Sequence, residues 1–392
     1  MSILLTIAFI FTGSLLVIAV LNAAIGPFLR RGGLVEKGSL VSVLIPARNE
    51  AHNITECLQG ICRQSYSNLE ILVLNDESED DTARKVREMQ KKDPRIRLIT
   101  GKPLPPGWTG KNWACHQLSR QAQGNIFIFT DADNRHHPEA VARTLEWMQR
   151  LRLDGFSAFP QQHTVSFWEK LVIPIIDLFV YSMLPLWLTY YSRFALLSAA
   201  NGQWLAFTRN AYLAIDGHAA VANEVVEDVE LARLIKKKGL KMLTTAGTGM
   251  VSARMYHTPR EIWEGLSKNL FGLTRYSLLL FILLNLLLLL AFTMPFALVF
   301  VPAFRLTAAL LIAMNLLLRT VLSIRFRHPF LTSTLLHPLS NLTIVIIGLN
   351  SARLTRAGKV TWKGRRIIRD SGSCHQRRFF EQSSSYFGKA AK

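Results

Sequence analysis

The sequence predicts an α/β domain built on a mostly parallel sheet, with transmembrane helices before and after it. Strands that alternate with helices indicate βαβ units, and apolar runs that barely alternate indicate strands covered on both faces. Long apolar stretches near both ends of the chain predict the transmembrane helices. The short apolar runs that predict the strands lie at 40–46, 69–75, 96–99 and 125–130, separated by polar stretches of helical character.

The first apolar stretch, residues 3–21, reads ILLTIAFIFTGSLLVIAVL and carries no charge, so it is about long enough to cross a bilayer. No basic residue precedes the run and no clear small-x-small cleavage site follows it, which favours an uncleaved anchor over 1–24 rather than a signal peptide. Arg30, Arg31 and Lys37 come next, and this charge predicts that the following domain is cytoplasmic.

The C-terminal block, 276–350, is expected to contain about three more spans, near 277–300, 306–324 and 330–350. The tail that follows, 351–392, is basic and is expected to be partly disordered. A basic tail is typical of the cytoplasmic side, yet three crossings from a cytoplasmic domain would leave it outside. We therefore expect a multi-pass cell-membrane protein in which one of these segments does not cross fully.

A third apolar segment, 165–200, is interrupted by Pro174 and Pro185, with Asp177 between them. A spanning helix and a membrane-surface or re-entrant segment are both compatible with this pattern. The alternative is plain hydrophobic core.

The composition restricts the class of partner. The 392-residue chain has 46 basic and 27 acidic residues, a net charge of +19, and such chains attract nucleic acid, anionic lipid or phosphorylated small molecules. Its apolar character favours lipid and phosphate, and no aromatic–basic platform for nucleic acid stands out, so we expect no nucleic-acid partner. The four cysteines do not form a zinc-type cluster, and reduced thiols in a cytosolic domain are the expectation.

Acidic and polar residues follow three of the predicted strands, as PARNE (46–50), NDESEDDT (75–82) and DADN (131–134). In an open α/β sheet, ligands bind outside the carboxyl ends of the strands. Asp131 and Asp133 are two residues apart, so in an extended stretch both side chains lie on one face and can hold one divalent cation. Mg²⁺ and Mn²⁺ prefer such oxygen ligands together with phosphate oxygens. A strand-to-turn junction with Asx hydrogen bonds is the alternative for an isolated DAD.

Four stretches occur in a fixed order: VSVLIPARNE, ILVLNDESEDDT, IFTDAD and EVVEDVELARLIKKKG. In this order and spacing they resemble the family-two glycosyltransferases, whose nucleotide-sugar-binding domain has the Rossmann-like fold called GT-A. The resemblance covers roughly 40–270, and it implies a catalytic domain over 38–275.

The resemblance also implies roles for individual positions. Asp131 and Asp133 match the metal motif, which implies Mg²⁺ or Mn²⁺. Asp228 matches the catalytic base, with Glu227 beside it, although the amphipathic helix pattern alone also fits a surface charge. Asn75 precedes Asp76 where the family often has a second aspartate. The donor-binding positions are Pro46, Ala47, Arg48, Glu50, Asp76 and Asp131.

Two further stretches narrow the subgroup. PPGWTGKNWACHQ (105–117) places Lys111 in a Gly-rich loop from which it can reach a diphosphate; an ordinary surface loop is the alternative. RMYHTPREIWEGLSKNLFG (254–272) precedes the C-terminal block, and WKGR (362–365) lies in the tail. Together they resemble membrane-bound members that include carotenoid and hopanoid-associated glycosyltransferases. The Gln-x-x-Arg-Trp motif of processive synthases is missing from the sequence, which argues against a polymerising role.

The hypothesis is an inverting transferase that moves a sugar from a nucleotide-sugar donor of the UDP-glucose type to a lipid-like acceptor, a carotenoid or another polyisoprenoid. The cation and basic groups would neutralise the leaving diphosphate, while a carboxylate takes the acceptor's proton. A transferase for a cell-surface polysaccharide or a polyprenyl phosphate is the enzymatic alternative. An inactive membrane scaffold is the non-enzymatic one.

Overall fold

The structure, a computed structural model, describes residues 2–31, 33–35, 37–192, 194, 197–362 and 365–366. The predicted disorder of the tail therefore lies mostly outside the described residues. The strands are β1 Val41–Ala47, β2 Leu69–Asn75, β3 Ile96–Thr100, β4 Ile126–Phe129, β5 Asn134–His136, β6 Gly155–Phe159, β7 Gln161–Gln162, β8 Leu205–Thr208, β9 Met242–Ala246, β10 Val251–Ala253, β11 Thr361–Trp362 and β12 Arg365–Arg366.

Seven of the described strands form the main sheet, in the order β3-β2-β1-β4-β8-β6-β9. β8 runs antiparallel to both of its neighbours, β4 and β6. The other described strand pairs of this main sheet are parallel. The four predicted strands are β1 to β4, and their apolar side chains are buried on both sheet faces, as the nearly continuous apolar runs require. The predicted α/β sheet is confirmed.

Helices cover both faces of this sheet and form two separate hydrophobic clusters against it. A small second sheet, β5-β10-β7, lies beside the turn that follows β4. The helices of this part of the chain are α2 Ile54–Cys62, α3 Thr82–Gln90, α4 Gly110–Gln121, α5 Ala140–Leu151, α6 Phe167–Val172, α7 Pro174–Met183, α8 Leu188–Tyr191, α9 Arg209–Ala214, α10 Glu227–Lys237 and α11 Pro259–Leu273.

Among the described residues, three helical segments are long and apolar enough to cross a membrane: Ile3–Ile25, Leu278–Leu298 and Pro302–Phe326. They correspond to the predicted anchor and to the first two predicted C-terminal spans. The helices of these regions are α1 Ser2–Ile25, α12 Leu278–Phe292, α13 Met294–Leu298, α14 Arg305–Phe326, α15 Phe330–Leu335 and α16 His337–Arg356.

The third predicted span, 330–350, is not among these three segments, and it is divided at Leu336 into α15 and α16. α16 begins with Pro338 in its first turn and buries the polar side chains of Ser340 and Asn341. This polar inner face lowers the hydropathy of the segment, while Leu342 and Ile346 on the outer face are exposed.

The apolar segment 165–200 is likewise divided into short helices. Pro174 begins α7, which has 10 residues and ends before Pro185, so it is too short to cross a bilayer. α7 instead packs against α1, where Asn22 donates from Nδ2 to the carbonyls of Tyr181 and Leu184, both at 2.8 Å.

The carboxyl edge of the main sheet lies next to the apolar helices. β9 is parallel to β6 and, through antiparallel β8, also to β4, so these strands end at the same edge. Ala246 at the end of β9 pairs with Phe28, three residues after α1. Phe28 in turn stacks on Phe326 at the end of α14, with 5.8 Å between ring centroids.

Candidate functional site

The end of β1 is joined to the end of β2. The two strands are in register up to Ala47 and Asn75, and the amide of Asp76 donates to the carbonyl of Ala47 at 2.8 Å. Pro46 and Ala47 therefore contribute mainly backbone to this edge, and Ala47 is fully buried. Asp76 is 5 % exposed, so its carboxylate lies inside the cleft and not on an open surface.

Arg48 organises the loop that carries Asp76. Its guanidinium donates from Nη1 to the carbonyls of Asp76 at 2.8 Å and Glu77 at 3.2 Å. Glu77 and Asn49 both have positive φ values, 51° and 53°, so each loop turns sharply where it meets the other. Arg48 thus shapes the predicted nucleoside region by holding the main chain.

Glu50 lies in the loop before α2 and accepts a hydrogen bond from Nδ2 of the N-cap residue Asn53 at 2.9 Å. Its amide donates to Thr82 Oγ1 at 2.8 Å, which connects it to the first turn of α3. In this position Glu50 ties the two loops of the nucleoside region together, a contact to which the sequence gives no direct clue.

Asp131 and Asp133 lie in the turn between β4 and β5, at the carboxyl end of β4. Burial raises the pKa of the neighbouring Cys57 thiol, and the carboxylates of Glu50, Asp131 and Asp133 raise it further. Asp133 also contributes, after burial, to raising the pKa of Tyr256. Cys57 lies on α2 and its Sγ donates to the carbonyl of Asp131 at 3.7 Å, so the turn that carries Asp131 and Asp133 lies next to the α2 end of the nucleoside region.

Lys111 contacts the first of these aspartates. Its Nζ lies 3.0 Å from Asp131 Oδ1 and 3.1 Å from Oδ2, and 3.2 Å from Glu227 Oε1. Burial alone would lower the pKa of Lys111, but the two carboxylates outweigh it and hold that pKa well above its ordinary value. One ammonium therefore joins the predicted metal motif to the predicted catalytic motif.

The placement of Lys111 differs from the sequence expectation in one respect. Lys111 lies in the first turn of α4 and not in a flexible loop, because Thr109 caps the helix by accepting from the amide of Asn112 at 3.3 Å. The helix fixes the backbone of Lys111 while its side chain remains 38 % exposed.

Asp228 is on the first turn of α10, next to the buried Glu227. Its Oδ1 accepts from the amide of Val229 and its Oδ2 from the amide of Gly202, both at 2.8 Å. Burial and the Glu227 carboxylate raise the pKa of Asp228 to about 7, against the opposing effect of Lys111 and these two amides. A carboxylate with such a pKa can accept a proton near neutral pH.

Gly202 is a site residue that the sequence reasoning missed. A Cβ at this position would lie 3.1 Å from Lys111 Nζ, 3.3 Å from Glu227 Oε1 and 3.7 Å from Asp228 Oδ2. The Asn-Gly pair at 201–202 signals a turn, but nothing in the sequence connects it to a carboxylate 26 residues later. The absence of a side chain leaves room for the charged cluster.

Asn112 was also missed. Fully buried, it donates from Nδ2 to the carbonyls of Val221, Ala222 and Glu224 at 2.7, 3.2 and 2.9 Å. These bonds attach α4 to the segment that leads into α10. They hold Lys111 and Glu227 within reach of each other.

The donor set fits a divalent cation at Asp131 and Asp133, because both supply hard carboxylate oxygens and a cationic group already lies against Asp131. Within the described part of the chain, no group of three or more histidine, cysteine or acidic side chains is arranged to hold a metal ion. Most of the ion's remaining ligands would have to come from phosphate and water, as is usual for Mg²⁺.

Residues 42–188 match the family model described as glycosyl transferase family 2. Two relatives are named 4,4'-diaponeurosporenoate glycosyltransferase. The one from Staphylococcus haemolyticus is 27 % identical over 246 residues, and the one from Staphylococcus aureus strain USA300 is 27 % identical over 241. Each alignment covers 59 % of this chain, and the chain spans 60 % of the length of these relatives.

A mannosyltransferase from Pyrobaculum calidifontis, solved in complex with GDP-Man and Mn²⁺, has a similar structure. Its TM-score is 0.53 at 19 % sequence identity, and the match covers 90 % of this chain and 99 % of that one. This likeness concerns the fold. With the sheet described above, it confirms the predicted fold of the GT-A type, and the match of residues 42–188 to the model of glycosyl transferase family 2 agrees with the predicted family.

Proposed function

We propose that this protein is an inverting glycosyltransferase that moves a sugar from a nucleotide-sugar donor of the UDP-glucose type to a lipid-like acceptor at the membrane. The observation that carries the proposal is the cluster around Gly202, in which Lys111 joins Asp131 to Glu227 and the Gly202 amide holds Asp228. A binding module or scaffold has no need for a carboxylate with a raised pKa beside a bridging cation.

Donor binding is assigned to the cleft formed by the ends of β1, β2 and β4. Arg48 holds the loop that presents Asp76 to the nucleoside, and the amide of Glu50 connects the loop after β1 to Thr82 at the start of α3. Asp131 and Asp133 would hold Mg²⁺ or Mn²⁺, which when bound neutralises charge on the diphosphate. The ammonium of Lys111 contacts Asp131 in the absence of donor, and it can exchange this partner for a diphosphate oxygen as the donor enters.

The transfer itself is a single displacement. The acceptor oxygen forms a bond to the anomeric carbon while the bond from that carbon to the diphosphate oxygen breaks. Asp228 takes the proton of the acceptor hydroxyl, and the nucleoside diphosphate leaves with the bonding electrons. Because one carboxylate acts opposite one leaving group, the configuration at the anomeric carbon inverts.

The acceptor is proposed to be a carotenoid-type or other polyisoprenoid lipid. Support comes from the names of the Staphylococcus relatives and from the position of the carboxyl edge of the sheet next to α1 and α14. A lipid acceptor could reach this edge of the sheet from the bilayer. We propose no processive extension, in keeping with the missing Gln-x-x-Arg-Trp motif.

We further propose a multi-pass cell-membrane protein with a cytoplasmic catalytic domain. Arg30 and Arg31 follow α1, and α12–α13 and α14 supply two further crossings. Two crossings return the chain to the side of the catalytic domain, which agrees with the basic residues at the end of α16. The divided segment 330–350 is then the one that does not cross.

The test is to express the chain in cells that make polyisoprenoid lipids and to compare lipid extracts by mass spectrometry. We expect a hexose-sized mass gain on a lipid with the native chain. An Asp228→Asn variant, present in the membrane at the same level, should show none. Equal gains with both chains, or no modified lipid with either, would contradict the proposal.

A further inference from the structure

A groove lies between α12 and α16, at the end of these helices that is close to α11. Its volume is about 560 Å³, which is within the range of small-molecule sites. None of the residues proposed for catalysis or donor binding lines it. The groove is therefore separate from the site described above.

The walls of the groove are apolar. Phe281 forms its buried floor, while Leu278, Ile282 and Leu349 are 37 %, 42 % and 53 % exposed along its rim. The α12 wall belongs to the segment Leu278–Leu298, which is apolar enough to cross a membrane. Close contact of the helices below the groove depends on Gly348, where a Cβ would lie 3.0 Å from Phe281 Cζ.

One end of the groove is basic. Arg353 and Arg356 are three residues apart at the end of α16, so both side chains project from one face of the helix. Both are exposed, and Arg353 donates to Asn350 Oδ1 at 2.9 Å. Within the described part of the chain, no acidic residue lines the groove and no ion pair involves either arginine. The positive charge is therefore available to a ligand.

An apolar channel that opens at a pair of arginines is complementary to an anionic amphiphile. Guanidinium groups bind phosphate oxygens in a bidentate manner, and basic pockets between membrane helices on the cytoplasmic side suit acidic headgroups. The segment that is apolar enough to cross a membrane begins at Leu278, so a membrane-spanning α12 would place this end of the groove near the depth of the lipid headgroups.

We propose that the α12–α16 groove binds one anionic phospholipid, with its phosphate at Arg353 and Arg356 and an acyl chain along Ile282 and Leu349. The proposal rests on the membrane location of these helices but not on sugar transfer, and its test measures binding alone.

The experiment uses the full chain, delipidated in neutral detergent and mixed with phosphatidylglycerol or phosphatidylcholine, with bound lipid counted by native mass spectrometry. We expect one phosphatidylglycerol per chain and much weaker retention of phosphatidylcholine. Arg353→Gln with Arg356→Gln should weaken phosphatidylglycerol binding by roughly tenfold or more, since each basic group near a membrane surface contributes about fivefold.

The matched control is Arg305→Gln with Arg327→Gln, which removes the same charge from exposed arginines at the two ends of α14, outside the groove. It should bind phosphatidylglycerol like the native chain. Thermal unfolding checks that each variant is folded. If the variant with both Arg353→Gln and Arg356→Gln is not folded, Arg356→Gln alone replaces it in the binding measurement.

Three results would overturn the proposal. One is equal retention of both lipids, and another is equal loss in the groove and control variants, which would indicate a diffuse basic surface. The third is stoichiometric displacement of phosphatidylglycerol by a polyisoprenoid carboxylic acid, which would assign the groove to the acceptor instead.

Discussion

The ammonium nitrogen of Lys111 lies 3.0 Å from Asp131 Oδ1, so a side chain from α4 neutralises the first carboxylate of the DAD motif. The same ammonium reaches Glu227 at 3.2 Å, next to the proposed base. A divalent cation at Asp131 would compete with this ammonium for the carboxylate oxygens, and the displaced ammonium could then bind the donor's diphosphate. We therefore propose that Lys111 couples binding of the metal to binding of the donor.

The competition between the Lys111 ammonium and a divalent cation predicts that one variant binds the metal more tightly and the nucleotide sugar more weakly. Lys111→Met should bind Mn²⁺ several-fold more tightly than the native chain in the absence of nucleotide, because Asp131 no longer has an internal cation. The same variant should bind the nucleotide sugar several-fold more weakly. Titration calorimetry measures both, with Lys92→Met, at an exposed position in the turn after α3, as the control. Unchanged Mn²⁺ affinity would refute the competition.

The raised pKa of Asp228 predicts the pH dependence of transfer. The base must be ionised, so kcat should rise with pH and level off above a midpoint of about 7. Lys111 lowers the pKa of Asp228, so Lys111→Met should move the midpoint to higher pH. Initial rates between pH 5 and 9 with saturating donor measure it, and a flat profile would exclude Asp228 as the titrating base.

The same pKa predicts an effect on stability. Because folding raises the pKa of Asp228 from 3.8 to about 7, ionisation of this side chain opposes folding, and its contribution to stability falls as pH rises through this range. The Asp228→Asn variant escapes this loss. Its Tm relative to the native chain should therefore increase between pH 5 and 8. A constant difference in Tm would show that Asp228 ionises normally in the folded chain.

Gly202→Ala should impair catalysis without unfolding the chain. The new Cβ would lie 3.1 Å from Lys111 Nζ and 3.3 Å from Glu227 Oε1, so the charged cluster has to shift. Displacement by even a fraction of an ångström reduces kcat, and roughly a 10²-fold loss is expected. Gly33→Ala is the control, since its Cβ meets only the flexible side chain of Glu146, at 3.2 Å. Full activity in Gly202→Ala would mean that the cluster tolerates movement.

Arg48→Ala should raise KM for the donor by about tenfold, because two charged hydrogen bonds to the Asp76 loop are lost. The change in kcat should be smaller, since these hydrogen bonds hold the loop of the proposed nucleoside region. Steady-state kinetics separate the two effects, with Arg87→Ala on the exposed face of α3 as the reference. A fall in kcat at constant KM would place Arg48 in the chemistry instead.

Four of the seven described strands of the main sheet, β1 to β4, were predictable because they are short apolar runs with abrupt polar ends, whereas β6, β8 and β9 were not predicted. The acidic and polar residues that follow β1, β2 and β4 mark the carboxyl edge of the sheet. The position of Asp131 and Asp133 at the end of β4 follows from the same local signal.

Contacts between distant parts of the chain were not predictable in this way. Gly202 and Asp228 meet because β8 and α10 pack at one edge, and Asn112 holds α4 to a segment about 110 residues later. The division of 330–350 at Leu336 also escaped prediction, because its polar residues face neighbouring helices inside an apolar outer surface.

The most direct test of the central claim uses purified chain in lipid nanodiscs, with UDP-glucose, Mn²⁺ and a polyisoprenoid acceptor. Mass spectrometry and NMR measure the transferred hexose and its anomeric configuration. We predict a β-linked glucoside with the native chain, and none with Asp228→Asn although that variant still binds UDP-glucose. An α-linked product, or equal transfer by Asp228→Asn, would contradict single displacement assisted by Asp228.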